Sequence, residues 1–273
     1  MKINILGSNG TIGLGLRNVA KNEFNYFSRN STDNFFSLEK NISFSKKIKN
    51  LGTNDVVLFL SALSKPNLIE DNLELSIEVN YINTIKSIDL LLKNKVKVLF
   101  ASTDQVYGDE YSKKILETDE ANPINLYSYT KRLIEERYKH HDNIKFLRFS
   151  QCINGYDSFS KYCKESIKFG KTIELFKTYK RNIFGIDLLY EFLVKLKLNE
   201  IHFNNIPNFI NFGGSYLVNR SEFQKFLNDS IVINKVKSKT FIFSIDLNTS
   251  ALEKIMKKKY IFNFTDWKNK IYE

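Results

Sequence analysis

Lys2-Ile3-Asn4-Ile5-Leu6-Gly7-Ser8-Asn9-Gly10-Thr11-Ile12-Gly13 decides how this chain is read. Lys2 to Leu6 is a short apolar strand. Glycines follow at once, and a helical run starts at Thr11 and continues to about Lys21. Strand, glycine turn and helix start, in that order, make a turn that binds dinucleotides. The glycines let the backbone bend sharply and let a pyrophosphate approach the helix N-terminus, where free N–H groups and the helix dipole favour anions. The spacing is G-x-x-G-x-x-G rather than the standard G-x-G-x-x-G. Taken alone, it also suits a purely structural tight turn. Its place straight after a first strand gives it weight. Gly7, Asn9, Gly10, Thr11, Ile12 and Gly13 are the candidate cofactor-binding residues of this turn.

Working outward, Phe24 to Phe27 reads as a second strand that ends in Ser28-Arg29-Asn30. An acidic residue belongs there when the adenosine ribose carries a free 2′-hydroxyl, and none occurs before Asp33. Ser28 and Arg29 suit a 2′-phosphate, so NADPH is expected over NADH; the alternative is that Arg29 is an ordinary exposed loop charge. Asp55 to Leu60 is a third strand, running into Ser61-Ala62-Leu63. Pro66 is expected to block immediate helix formation. From about Asn72 to Lys93 apolar residues recur at helical spacing (Leu73, Ile77, Tyr81, Ile85, Ile88, Leu91, Leu92). Asn80, a poor helix former, sits near the middle of that run. It is either solvent-facing or a buried hydrogen-bonding group near the site. Lys95 to Ala101 and Ile144 to Phe149 are further strands. The alternation implies an α/β fold, a Rossmann-type doubly wound parallel sheet. The dinucleotide-binding part is expected over residues 1–152. Residues 153–273 are expected to form mainly a smaller substrate-binding lobe, with a strand free to return to the main sheet. In that half, helical runs are expected over roughly Ser158–Phe169, Ile186–Leu198, Arg220–Leu227 and Ser250–Lys258, with extended pieces over Thr172–Phe176 and Asn208–Phe212.

The chemistry concentrates in two strings, Phe100-Ala101-Ser102-Thr103-Asp104-Gln105-Val106-Tyr107-Gly108 and Pro123-Ile124-Asn125-Leu126-Tyr127-Ser128-Tyr129-Thr130-Lys131. In open parallel sheets ligands gather beyond the carboxyl ends of the strands, which places Ser102 and Thr103 to see one. Tyr127 and Lys131 are four apart, on one face of a helix that runs to about Lys139. A phenol beside an ammonium, facing a hydroxyl at a strand end, is a proton-transfer site. The competing reading is an ordinary aromatic–lysine pair on a helix surface.

Composition narrows the classes. With 273 residues, 42% of them apolar and 14% aromatic, the chain can bury a sizeable core. No apolar run is long enough to span a bilayer. The first residues lack the regions of a signal peptide, so a cytoplasmic protein without a membrane partner is expected. The formal charge of +11 comes from scattered lysines, with modest clusters at Lys46-Lys47-Ile48-Lys49 and Lys257–Lys259. No nucleic-acid motif accompanies them, so no nucleic-acid partner is expected; the field also suits a phosphate-rich small substrate. Cys152 and Cys163 have no metal-ligand spacing, and there are three histidines, so no metal is expected. Neither is a disulfide. The face from Ile77 to Leu92 fits a homodimer contact and burial within a monomer equally well.

Taken together these residues resemble the extended short-chain dehydrogenase/reductases that act on nucleotide sugars, the NAD-dependent epimerase/dehydratase family. The resemblance covers nearly the whole length. It is carried by Gly7, Gly10 and Gly13, by Asp55-Val56-Val57 and Ser61-Ala62, by Val79-Asn80, by Ser102-Thr103-Asp104-Gln105-Val106-Tyr107-Gly108, and by Pro123-x-Asn125-x-Tyr127-x-x-x-Lys131 with Glu135. Asp187-Leu188 and Leu247-Asn248-Thr249-Ser250 are weaker signposts. The short length and the spacing from Thr103 to Tyr127 look most like the dTDP-4-dehydrorhamnose reductase branch.

That resemblance implies reduction of a 4-keto-6-deoxy nucleotide-diphosphate sugar, with NADPH favoured and NAD(H) the alternative, in the supply of sugars for cell-surface polysaccharide. It implies Tyr127 as general acid, its pKa lowered from the usual ~10 by Lys131 and an oxidised nicotinamide. Lys131 would hold the nicotinamide ribose. Thr103, helped by Ser102, would orient the reacting oxygen. Ser61, Ala62 and Asn80 would lie on the cofactor side, Asn80 positioning Lys131 or a water. Arg181 and Arg220 would take the diphosphate, each being as readily a surface charge. The family's dehydratases carry an Asp-Glu pair after the threonine. Here Gln105 holds the second position, and an amide cannot exchange that proton at neutral pH. Two rivals stay open: a 4-epimerase with bound NAD, and a non-catalytic dinucleotide sensor.

Overall fold

Six apolar segments come together as one parallel sheet: β1 (Lys2–Leu6), β2 (Asn25–Phe27), β3 (Asp55–Phe59), β4 (Lys97–Thr103), β5 (Ile144–Phe149) and β6 (Phe209–Phe212). The structure, a computed structural model, describes residues 1–39, 43–64, 66–108, 113–228, 230–236 and 243–272. The strand order is β6-β5-β4-β3-β1-β2, and every neighbouring pair is parallel. Strands covered on both faces read as near-continuous apolar runs. β3 is one from Val56 to Phe59, and β5 interrupts its run with Lys145, bonded to Asn208, and Arg148, bonded to Glu135. Alternate apolar residues of both strands enter different cores. Val56 and Leu58 pack on one side, Val57 and Phe59 on the other.

Register turns one face into a row of rings. Phe59 pairs with Phe100, Phe100 with Phe146 and Phe146 with Phe209, with ring centroids 5.8, 5.9 and 5.1 Å apart. Such cross-strand pairs hold the register. β6, from the second half of the chain, is the strand that returns to the main sheet. The fold is a Rossmann-type doubly wound sheet. Its strand order reverses between β1 and β3, and that reversal opens a crevice at the carboxyl ends of the strands.

Helix α1 (Thr11–Val19) leaves β1, and α2 (Leu126–Tyr138) leads into β5. The run expected to be helical from about Asn72 to Lys93 is helical without a gap, but it widens in the middle. It consists of Leu73–Ile77, a wider π segment over Glu78–Asn83, and Thr84–Lys93. Pro66 does not delay a helix. It opens one, Pro66–Asp71, because a proline's missing N–H costs nothing in the first turn. β4 runs to Thr103, two residues beyond the expected end, and so carries Ser102 and Thr103 within the sheet. The run at Arg220–Phe226 is a 3-10 helix rather than an α-helix. A C-terminal helix, Phe264–Tyr272, was not expected; it docks through buried Trp267 and Ile271. A small sheet of Tyr179–Arg181, Val218–Asn219 and Phe243–Ile245 lies in the second half of the chain. Among the described residues no helix is long and apolar enough to cross a membrane, and no group of three or more His, Cys, Asp or Glu side chains is placed to hold a metal.

Candidate active site

A cavity of about 620 Å³ lies in the crevice. Gly7, Gly10, Thr11, Ile12 and Gly13 line one side, and Ser102, Thr103, Tyr127 and Lys131 line another. The glycines serve different ends. Gly7 has φ +91°, and a Cβ there would stand 2.6 Å from the Ser61 backbone nitrogen. A Cβ on Gly13 would stand 2.5 Å from Ser8 Cα. These two close the turn against its own neighbours. A Cβ on Gly10 would meet nothing nearer than the Gly7 carbonyl oxygen at 3.4 Å, so packing does not demand this glycine. Its bareness leaves room in the cavity, just where α1 begins. α1 has neither a side-chain cap nor an acidic residue in its first turn. Its first amides and positive dipole end therefore suit a pyrophosphate, and the residues fit a bound dinucleotide.

The rest of the expected cofactor set divides. Ala62 lines the cavity. Asn9 and Ser61 do not, although Ser61 supplies the backbone against which Gly7 packs. Ser28 is buried off the cavity, and Arg29 is exposed and pairs with Glu39. Asn80 is buried but does not reach Lys131. Its Oδ1 accepts from the Leu63 N–H and its Nδ2 donates to the Leu63 carbonyl, both at 2.8 Å. The π turn aims this amide at the loop from β3, whose Ala62 and Ser64 line the cavity. Asn80 thus holds the wall rather than the lysine.

α2 presents the Tyr–Lys pair. Asn125 caps it, with Oδ1 accepting from the Ser128 N–H at 2.9 Å while Ser128 Oγ accepts from the Asn125 N–H at 3.3 Å. This capping box fixes the turn that carries Tyr127. Lys131 is 2% exposed. Its Nζ donates to the Ala101 carbonyl at 2.7 Å and stands 4.4 Å from the Phe100 ring centre and 5.6 Å from that of Tyr127. Burial pulls its pKa down to about 7, against the opposing charge of Glu135. Tyr127 moves the opposite way to expectation. Burial, and then the charge of Asp104, push its phenol up to about 12, with Arg181 opposing. Lys131 does not lower it, since a lysine that titrates near 7 is neutral where the phenol ionises. The phenol therefore stays protonated at neutral pH. Thr103 ends β4, with Oγ1 accepting from the Gln105 N–H at 3.3 Å.

Ser102 lines the cavity, yet its hydroxyl donates to Glu135 at 2.6 Å. Glu135 also accepts two bonds from Arg148, at 3.0 and 2.8 Å. The group is buried, and Ser102 serves it rather than helping Thr103. Neither candidate diphosphate arginine is a surface charge. Arg181 lines the cavity, but its Nε and Nη2 both donate to buried Asp104, and Nη1 donates to Tyr179 Oη at 3.1 Å. The fork that would grip a diphosphate is already filled. Arg220 lies off the cavity, stacked 3.8 Å over Phe159, with Nη2 donating to Gln151 at 2.6 Å. The sequence reading missed Gln105, Asn125, Phe149 and Ser150 as cavity residues. Gln105 was open to detection, since it stands two residues past Thr103 at a strand's carboxyl end.

The sequence pattern of the family described as "RmlD substrate binding domain" matches residues 1–177 of the chain. The chain belongs to that family. No curated protein matches it by sequence. Among solved structures, this RmlD-family chain is similar to a dTDP-4-dehydrorhamnose reductase from Clostridium acetobutylicum, at 19% identity, with 99% of this chain and 97% of that one covered and a TM-score of 0.74. It is similar to RMD from Pseudomonas aeruginosa complexed with NADPH, at 13% identity, 99% and 97% coverage and a TM-score of 0.76. It is also similar to a UDP-glucose-4-epimerase from Stenotrophomonas maltophila with bound NAD and formylated UDP-arabinopyranose, at 14% identity, 100% and 97% coverage and a TM-score of 0.77. At these identities the likeness establishes the fold.

Proposed function

We propose that the protein reduces a 4-keto-6-deoxy nucleotide-diphosphate sugar with a nicotinamide cofactor, in the supply of sugars for cell-surface polysaccharide. The observation that carries this is one cavity lined both by the glycine turn and by Thr103, Tyr127 and Lys131. The family match and the reductase and NADPH-bound relatives of the same fold support it. Residues 1–152 would hold the dinucleotide, and 153–273 would mainly cover the sugar.

A reduced nicotinamide bound in this cavity supplies the hydride to C4. Tyr127, protonated at neutral pH, gives its proton to the oxygen on that carbon as negative charge develops there. Thr103 orients the same oxygen. Lys131 is placed to donate to the cofactor's ribose once it leaves the Ala101 carbonyl.

The test is the nicotinamide absorbance of NADPH mixed with the protein and a panel of 4-keto-6-deoxy nucleotide sugars. Stoichiometric oxidation with one of them is expected. Tight NADPH binding without oxidation by any of them sinks the reading and moves the weight to an epimerase or a dinucleotide sensor.

NADPH is proposed over NADH because of Ser28 and Arg29. The pairing of Arg29 with Glu39 makes that preference a weak one. Glu39→Gln frees the guanidinium and should lower the KM for NADPH relative to NADH, by no more than about fivefold for so exposed a pair. An unchanged ratio would remove Arg29 as the reader of the 2′-phosphate.

A further inference from the structure

Gln105 is half-buried and lines the cavity alongside Thr103 and Tyr127. Its Oε1 accepts from Asn125 Nδ2 at 3.0 Å. The helix fixes the direction of that bond. Asn125 is the N-cap of α2, and its Oδ1 is taken by the Ser128 N–H at 2.9 Å, a group that can only donate. Asn125 therefore has only its NH2 to offer Gln105. An NH2 cannot accept, so Gln105 must meet it with oxygen. Reversing the Gln105 amide would set two NH2 groups face to face. Among the described residues no protein acceptor takes the Nε2 of Gln105, and the residue lines the cavity.

We infer that Gln105 is a substrate-binding residue whose side-chain NH2 donates to an acceptor oxygen of the sugar beside the carbon being reduced, and that Asn125 is the positioning residue that keeps this donor turned to the cavity. The inference rests on the reductase reading above and adds to it a group that selects the sugar. Thr103 and Tyr127 serve the reacting oxygen, and Arg181 is spent on Asp104. Gln105 is the uncharged donor beside them. An amide cannot withdraw a ring proton, so its part is orientation. A sugar without an oxygen at that position forfeits the bond and is discriminated against.

The full-length protein is assayed with NADPH and the keto sugar it turns over, as wild type, Gln105→Met, Asn125→Asp and the double variant. Gln105→Met keeps the length of the side chain and loses the donor. It should raise the KM for the sugar about tenfold, the worth of one hydrogen bond, with the KM for NADPH unmoved. Asn125→Asp keeps the helix cap, so Tm should hold. Its carboxylate offers only acceptors, so the Gln105 amide turns over and points its oxygen at the cavity. The KM for the sugar should rise as in Gln105→Met, and Asn125→Asp should add nothing in the Gln105→Met background. An unaltered KM in Gln105→Met overturns the inference while the reductase reading stands. So does an Asn125→Asp effect that survives undiminished in the double variant, since it would then act through its charge. A wild type that oxidises NADPH with no sugar overturns the reductase reading, and this inference with it.

Discussion

Tyr127→Phe is expected to abolish turnover, by about 10²–10⁴-fold, the usual worth of a positioned general acid. Affinity for the cofactor and Tm should both be retained. The substitution removes one oxygen and keeps the ring that packs at the start of α2. The helix is held by Asn125 and Ser128 rather than by this hydroxyl. On the proposed mechanism, what disappears is the proton for the oxygen on C4. The pH dependence carries a second check. Because burial and Asp104 hold the phenol near 12, the acid stays loaded across the ordinary assay range, so any basic fall in rate near pH 7 belongs to Lys131 rather than to Tyr127. Cofactor binding is read from quenching of protein fluorescence and turnover from nicotinamide absorbance. A Phe variant with wild-type turnover would remove Tyr127 from the mechanism.

Segments whose structure is decided locally were legible in the sequence. The strands were, because parallel strands buried on both faces are mostly apolar, and β5 matches its expected span of Ile144–Phe149 even with Lys145 and Arg148 in it. The glycine turn and the Tyr127–Lys131 face were legible because turn chemistry and helical spacing are short-range. What escaped depends on partners distant in the chain. The helix from Leu73 widens into its π segment where Asn80 reaches Leu63 and Asn83 reaches the Leu38 carbonyl, 45 residues away. Arg181 resembled a free diphosphate ligand because Asp104, 77 residues earlier, is invisible as its partner until the fold brings them together. Ser102 resembled a helper of Thr103 until Glu135 claimed its hydroxyl. The C-terminal helix was readable in principle, since Trp267 and Ile271 are four apart on one face. The raised pKa of Tyr127, against expectation, and the lowered one of Lys131 could not be read. They come from the depth of burial, which spacing does not record.

Lys131→Met should stabilise the protein while ending its activity. A lysine in the unfolded chain titrates near ~10.4, and the buried Lys131 near 7. Between those values the unfolded chain binds the extra proton, so the contribution of this residue to stability rises with pH through the window. Below about pH 7 the lysine is charged in both states and the full penalty of burying it stands; above the unfolded value the penalty is gone. A separation of that size corresponds to about 4–5 kcal/mol at acid pH. Methionine fills similar space without charge and gives up the bond to Ala101, an offset of about 1–2 kcal/mol. The net gain near pH 6 should be about 2–4 kcal/mol, a rise in Tm of roughly 5–10 °C for a chain of this size. The gain should shrink steadily from pH 7 to pH 10. Thermal melts of both proteins at pH 6, 8 and 9.5 decide it, since groups common to the two cancel in the difference. A Tm difference that does not change with pH would mean that Lys131 is not held neutral by its surroundings. On the proposed reading, a role in holding the cofactor is the reason such a penalty is kept. A bound dinucleotide would use the ammonium, and cofactor binding near pH 8 should accordingly take up protons in the wild type and lose that uptake in Lys131→Met.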